Sequence, residues 1–207
     1  THNMAFTKFD IASMALVKVG AEPITSFDDG SRSAQVVSTL YDATKQGLFY
    51  TTFWNFATEK TQLAKLAETP TDKSYTFAFQ IPGDAMRVKG VFDNNGDLRT
   101  TYSVEQNKVY SDFDPLFLEY IKEVAEANMP PFFIEALVSK LAYEINEGVS
   151  GVGTRTNRLA REYQDKLRFA KVTDAQEIPP SQIIGRGDLV AARLGGTGSS
   201  VIKERNY

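Results

Sequence analysis

The chain has 207 residues, of which 42% are apolar and 24% are charged, with a formal net charge of −3 and no cysteine. This length can bury one substantial hydrophobic core or two small ones, while the absence of cysteine excludes disulfides and thiolate metal sites. No apolar stretch approaches the roughly 20 residues that span a bilayer, so we expect a soluble protein without a membrane partner.

The N-terminus removes histidine chemistry from consideration. The only histidine, His2, lies in Thr1-His2-Asn3, and we interpret residues 1–3 as the remnant of a purification tag ahead of a protein that begins at Met4. Without His2, catalytic triads, histidine-ligated zinc and imidazole bases are excluded. We therefore predict no catalytic residue, no cofactor and no metal.

Two amphipathic helices are predicted in the first fifty residues. Apolar residues recur at spacings of three and four over residues 8–19, Thr7 can cap the start, and Gly20 suits the position after the end. A second apolar stripe runs from the polar cluster at residues 28–31 to about Tyr50.

Residues 57–124 have the character of a β region, because β-branched and aromatic residues alternate with prolines and glycines. Hairpin turns are predicted at residues 93–97 and 106–107, where Asn and Gly tolerate positive φ. Strands are predicted over residues 75–81, 86–92, 100–105 and 108–110, while residues 116–124 fit either a strand or a helix.

A cluster of aromatic residues follows the second helix. Such a cluster could stack on sugars or bases, but large aromatic side chains dominate core packing. We therefore predict that the cluster packs where the second helix meets the sheet. Its members are Phe49, Tyr50, Phe53, Trp54 and Phe56.

Two further helices are predicted after residue 130. Pro130-Pro131 suits the first turn of a helix whose broad apolar face, from Phe133 to Ile145, indicates a central position. A glycine-containing connector at residues 148–153 precedes a fourth helix over about residues 156–172.

The fourth helix is strongly basic. It carries Arg155, Arg158, Arg161, Lys166, Arg168 and Lys171 against Glu162 and Asp165. This pattern fits a solvated face with ion pairs, and it also fits arginines that meet an acidic partner or phosphates. Because the whole chain is acidic, sequence-specific nucleic-acid binding is not favoured. We select Arg155, Arg158 and Arg161 as candidate partner-binding residues.

Residues 174–207 have little apolar content and no usable period, so we expect that they do not fold alone. We predict an extended arm that is held by a neighbouring subunit. Its candidate partner-binding residues are Pro179, Pro180, Ile183, Ile184, Leu189, Leu194, Val201, Ile202 and Tyr207.

Four segments resemble the tail tubular protein A family, the head-to-tail adaptors of short-tailed phages. They are residues 15–29 (ALVKVGAEPITSFDD), 53–57 (FWNFA), 79–88 (FQIPGDAMRV) and 130–137 (PPFFIEAL), the last followed by Leu141-Ala142. The segments occur in order across about residues 8–172, in a helix–helix–sheet–helix–helix layout. Residues 173–207 have no matching motif.

The resemblance implies a non-enzymatic virion protein, made in the host cytoplasm and located at the head-to-tail interface. Adaptors of this family form a twelve-membered ring beneath the portal protein, receive the tail nozzle protein below, and leave a channel for DNA. The implied partners are therefore other copies of the chain, the portal protein, the nozzle protein and tail fibre or spike proteins. DNA is implied only as non-specific passing cargo, which suits a mildly acidic chain.

Together these patterns predict an α+β fold with three parts. Residues 4–56 and 128–173 form a four-helix bundle, residues 57–127 form an inserted, mostly antiparallel β domain, and residues 174–207 form an extended C-terminal arm.

Two other functions fit the residues. A carboxylate-based glycan hydrolase associated with the tail would need two acids in one cleft, one of them buried enough to stay protonated. A small nucleic-acid-binding module would need a salt-dependent affinity for DNA, which the net charge of −3 disfavours.

Overall fold

The computed structural model describes residues 6–68, 70, 74–150 and 153–177. Within these ranges the chain is a mixed α+β protein with four α-helices and eight β-strands. The helices are α1 (Lys8–Lys18), α2 (Arg32–Phe49), α3 (Pro131–Ser150) and α4 (Thr154–Gln176). The strands are β1 (Thr58–Gln62), β2 (Ala64–Lys65), β3 (Phe77–Gln80), β4 (Ala85–Phe92), β5 (Leu98–Arg99), β6 (Ser103–Glu105), β7 (Lys108–Ser111) and β8 (Phe117–Lys122). None of the helices in these ranges has both the length and the apolar content that crossing a bilayer requires.

The predicted ends of the first two helices are confirmed. The Thr7 hydroxyl accepts a hydrogen bond from the Asp10 N–H at 3.2 Å, and the Asp10 carboxylate accepts one from the Thr7 N–H at 2.8 Å, which completes a capping box. Gly20 follows α1 with a φ of +78°, a conformation that favours glycine. At the start of α2, the Ser31 hydroxyl accepts from the Ala34 N–H at 3.1 Å.

Helix α3 contacts each of the other three helices. Its predicted apolar face is buried throughout, at Phe133, Ile134, Leu137, Val138, Leu141, Ala142 and Ile145. On α4, Leu159 and Ala170 are buried as predicted, while Ala160, Tyr163 and Leu167 are half-buried. The helices share one hydrophobic core, which also takes in Trp54 before the β region and Ile121 from strand β8.

Two predicted boundaries near α4 are corrected. Helix α3 continues to Ser150, so residues 148–150 of the predicted connector are helical. Helix α4 continues to Gln176, so residues 174–176 belong to the helix rather than to the predicted arm. Asp174 is buried there, and its carboxylate accepts hydrogen bonds from the N–H groups of Asn55 at 2.8 Å and Phe56 at 3.2 Å. These bonds hold the last turn of α4 against the chain. Residues 178–207 of the predicted arm lie outside the described residues.

The segment between α2 and α3 forms two antiparallel sheets of four strands each. The strand orders are β1-β8-β4-β5 and β2-β3-β7-β6. The chain passes from one sheet to the other at Leu63, whose N–H donates to the Leu116 carbonyl at 2.8 Å. A second hydrophobic core draws on both sheets and contains Leu63, Phe79, Ile81, Val91, Val109, Leu116, Leu118 and Tyr120.

Both predicted hairpin turns are confirmed, and residues 116–124 contain strand β8. Residues 93–97 join β4 to β5, while Gln106 and Asn107, at φ of 47° and 65°, join β6 to β7. The predicted strand at residues 100–105 is wrong over residues 100–102. These residues leave the ladder because β5 pairs with β4 in one sheet and β6 pairs with β7 in the other. Strands β1 and β2 were not predicted from the sequence.

The aromatic cluster packs in the helical core, apart from Tyr50. Phe49 and Trp54 are buried, and together with Phe56 and Phe133 they form an aromatic hub. The Trp54 and Phe133 rings meet edge to face, with centroids 5.1 Å apart. Tyr50 instead is 51% exposed, and its hydroxyl donates to the Met86 carbonyl at 2.7 Å.

Candidate functional site

The side of α4 that is turned away from the core carries both arginines and exposed apolar residues. Helical spacing places six residues on this side, which we call the α4 outer face: Arg158, Arg161, Asp165, Arg168, Phe169 and Val172. Phe169 is 59% exposed and Val172 is 51% exposed. The opposite side of the helix carries its buried residues.

The arginines of the α4 outer face are available for a partner. Among the residues that the structure describes, neither Arg158 nor Arg161 has an ion-pair or hydrogen-bond partner for its side chain. Arg168 lies 3.8 Å from Asp165, but both side chains are about three-quarters exposed, with values of 77% and 74%. Such an exposed pair contributes little to stability. The face is therefore positively charged around an apolar centre.

Other basic residues of α4 bind within the chain instead. Arg155 donates to the Val19 carbonyl at 3.2 Å, which ties the start of α4 to the end of α1. Lys166 pairs with Glu135 of α3 at 2.7 Å. Of the three predicted arginines, the structure thus places two on the α4 outer face and Arg155 at its edge.

The α4 outer face rests on a helix that is anchored along its length. Near its start, Glu162 forms an ion pair with Lys18 of α1. Near its end, Asp174 binds the backbone N–H groups of residues 55 and 56. A surface on such a fixed helix can present its side chains in one geometry.

The structure does not test the predicted residues of the arm. Pro179, Pro180, Ile183, Ile184, Leu189, Leu194, Val201, Ile202 and Tyr207 all lie outside the described residues.

Phe169 and Val172 were not predicted from the sequence as surface residues. Both fall outside the apolar stripe that contains Leu159, Tyr163 and Ala170, and they follow the arginines at helical spacing. That offset from the buried stripe was the signal that could have identified them.

A groove of about 600 Å³ lies between α1 and α3 and reaches Lys166 of α4. Its apolar lining consists of Phe6, Met14, Val17, Pro131, Ile134 and Val138. Val17 is 60% exposed at this groove. Ser139 also lines it, and the buried Ser139 hydroxyl has no hydrogen-bond partner within the described residues. We call this feature the α1–α3 groove.

The α1–α3 groove has a single carboxylate in its lining, Glu135, and that group is paired with Lys166. A glycosidase needs two carboxyl groups, one with a raised pKa. The carboxyl pKa is instead lowered in Asp10, Asp29 and Asp93 by hydrogen bonds from Thr7, Ser31 and Arg99, respectively. Within the described ranges, no group of three or more acidic or histidine side chains is placed to hold a metal ion.

The α4 outer face therefore stands out as a surface for binding another macromolecule. Arginine and aromatic side chains are enriched where proteins contact one another. Comparison of the chain with protein-family models and with curated proteins found no match. The composition and exposure of this face are the basis on which a function can be proposed.

Proposed function

We propose that this chain is a structural virion protein, a head-to-tail adaptor that assembles as a ring between the portal and the tail nozzle of a short-tailed phage. The α4 outer face is the observation that carries the proposal, and the resemblance of residues 8–172 to the tail tubular protein A family gives it direction. In this proposal the four helices form a bundle whose sides meet neighbouring copies. Residues 178–207 form an arm that binds a neighbour or the portal.

The exposed apolar side chains support an assembly role. Burying a Phe or Val side chain provides about 1.5–3 kcal/mol relative to leaving it in water. Phe169 and Val172 forgo most of that gain in the single chain, since both are more than half exposed. A neighbouring subunit that covers them would recover it, and the surrounding arginines would give the contact its orientation.

The charge of the chain fits the passage of DNA without retention. A net charge of −3 offers little attraction to phosphates over the molecule as a whole. We therefore propose DNA only as non-specific cargo of the ring. The same charge does not favour the alternative of a small nucleic-acid-binding module.

The alternative of a tail-associated glycan hydrolase is not carried forward, because no described observation favours it. The α1–α3 groove offers one carboxylate, and that carboxylate is engaged by a lysine.

The proposal is tested by reversing charges on the α4 outer face. We expect the double variant Arg158→Glu/Arg161→Glu to weaken both self-association and binding to the portal protein of the same phage by about tenfold or more. Sedimentation velocity of the chain alone and with portal measures both. The matched control is Arg32→Glu/Lys60→Glu, which makes the same change in net charge at exposed positions away from α4.

Two results together would contradict the proposal. The first is wild-type assembly and portal binding by the double variant on α4. The second is the same outcome after deletion of residues 178–207, because the proposed arm would then have no role in either contact.

A further inference from the structure

Two separate surfaces of the described chain leave apolar side chains in water. One is convex: Phe169 and Val172 project from the α4 outer face. The other is concave: the α1–α3 groove exposes Val17 and is lined mainly by apolar side chains. The lining of the groove and the α4 outer face share no residue, so one copy of the chain can use both at the same time.

The charges beside these surfaces are complementary. Asp10 lies on the same side of α1 as Met14 and Val17, at spacings of four and seven residues. Its carboxylate bonds to Thr7 and has no cationic partner in the described part of the chain. On α3, the groove residue Glu135 is 53% exposed. The α4 outer face supplies arginines that also lack a strong partner, so each surface has what the other needs.

We propose that Phe169 and Val172 of one copy insert into the α1–α3 groove of a second copy, with arginines of the α4 outer face meeting Asp10 and Glu135 at the groove. Because the two surfaces differ, the contact is heterologous, and it repeats from copy to copy until the assembly closes. The inference rests on the proposed function in one respect, namely that copies of the chain associate.

The absence of cysteine allows a direct test with the full-length chain. A Val17→Cys variant is mixed under oxidising conditions with an isotopically labelled Val172→Cys variant, and the disulfide-linked species are identified by mass. The control mixture contains Val17→Cys and labelled Leu98→Cys, because Leu98 is 60% exposed on strand β5, away from both surfaces. We expect the 17–172 link to form about tenfold faster than the 17–98 link, since docking raises the local concentration of the two thiols.

A complementation experiment tests the heterologous nature of the contact. We expect Phe169→Asp and Val17→Asp each to remain monomeric alone, because each lacks one of the two surfaces. Mixed in equal amounts, they retain one intact pair of surfaces and form a dimer but nothing larger. Both substitutions are at exposed positions, so circular dichroism is expected to match wild type.

Three results would overturn the inference. They are a 17–172 link no faster than the control, preferential linkage of two Val172→Cys chains to each other, and wild-type self-association of Phe169→Asp. If the chain nevertheless assembles and binds portal in those cases, the proposed function stands and only this contact is wrong. If the wild-type chain neither assembles nor binds portal, the proposed function itself fails.

Discussion

The helical part and the β part of this chain are stabilised by different means. The helical core draws buried residues from all four helices and closes around the aromatic hub, whereas the β core contains eight buried residues from two small sheets. Several cross-strand contacts of the β part are exposed ion pairs, such as Lys89–Glu119 at 2.7 Å, which contribute little each. The comparison teaches that the α4 outer face stands on the more firmly packed part of the molecule.

The two parts are nevertheless connected. Ile121 of strand β8 is buried in the helical core, as is Val124 just after that strand. Lys45 of α2 bridges to Glu123 and Glu126, which follow β8. We therefore expect changes in the helical core to affect the whole described unit, and the following variants test how far that dependence extends.

The largest effect is expected from Phe133→Ala in the aromatic hub. The Phe133 ring is fully buried, with centroids 4.7 Å from Phe49, 5.0 Å from Phe56 and 5.1 Å from Trp54. Truncating it leaves a cavity, and we expect the free energy of unfolding to fall by about 3–5 kcal/mol. Urea denaturation followed by Trp54 fluorescence measures this loss.

The control for the hub variant is Phe169→Ala, an aromatic truncation at an exposed position of the same part. We expect it to change the free energy of unfolding by no more than about 0.5 kcal/mol. Equal losses in the two variants would mean that the hub is not the centre of the helical core.

A smaller effect is expected from Asp174→Ala at the end of α4. The change leaves the N–H groups of Asn55 and Phe56 without their acceptor, and hydrogen bonds to charged groups contribute about 1.5–3 kcal/mol each before compensation by water. We expect a loss of about 2 kcal/mol and faster hydrogen exchange at residues 55–56. Asp165→Ala, on the exposed side of the same helix, serves as the control and is expected to change neither quantity.

The helices were predictable because each buries one stripe against a neighbour, and that stripe is visible as a period in the sequence. The capping box at Thr7 and the glycine at residue 20 added local signals for the ends of α1. Strand β1 could not be recognised in the same way. Its sequence, TEKTQ, has no apolar alternation, and its partner β8 lies far along the chain.

The candidate surfaces were only partly predictable for a related reason. The sequence identified arginines on α4 but could not show that Arg155 is tied to Val19, a contact between residues 136 positions apart. The α1–α3 groove depends on how two helices distant in sequence pack, which no local pattern encodes. By contrast, the offset of Phe169 from the buried stripe was visible in the sequence.

The smallest effect concerns the link between the two parts at Lys45. Burial alone would raise the pKa of Glu126, but a hydrogen bond from its own backbone N–H, the hydrogen bond from Lys45 and the charge of Lys45 outweigh it, so the pKa is lowered. A carboxyl group with a lowered folded-state pKa stabilises the protein above its unfolded pKa. This stabilisation is lost as the pH falls through the folded-state pKa.

We therefore expect Lys45→Met to lower the free energy of unfolding by about 1 kcal/mol at pH 7, because Glu126 loses its partner while the aliphatic stem is kept. The difference from wild type is expected to shrink below about pH 4, where Glu126 becomes protonated in both proteins. Urea denaturation at about pH 7 and about pH 3.5 measures it. A difference that stays constant over this range would show that the ion pair does not link the two parts.

The adaptor role is tested most directly by the mass of the complex that the full chain forms with the portal protein of the same phage. Native mass spectrometry of the mixture is expected to show twelve copies of the chain on each portal ring. A mixture in which portal and chain remain separate at micromolar concentrations would contradict the account.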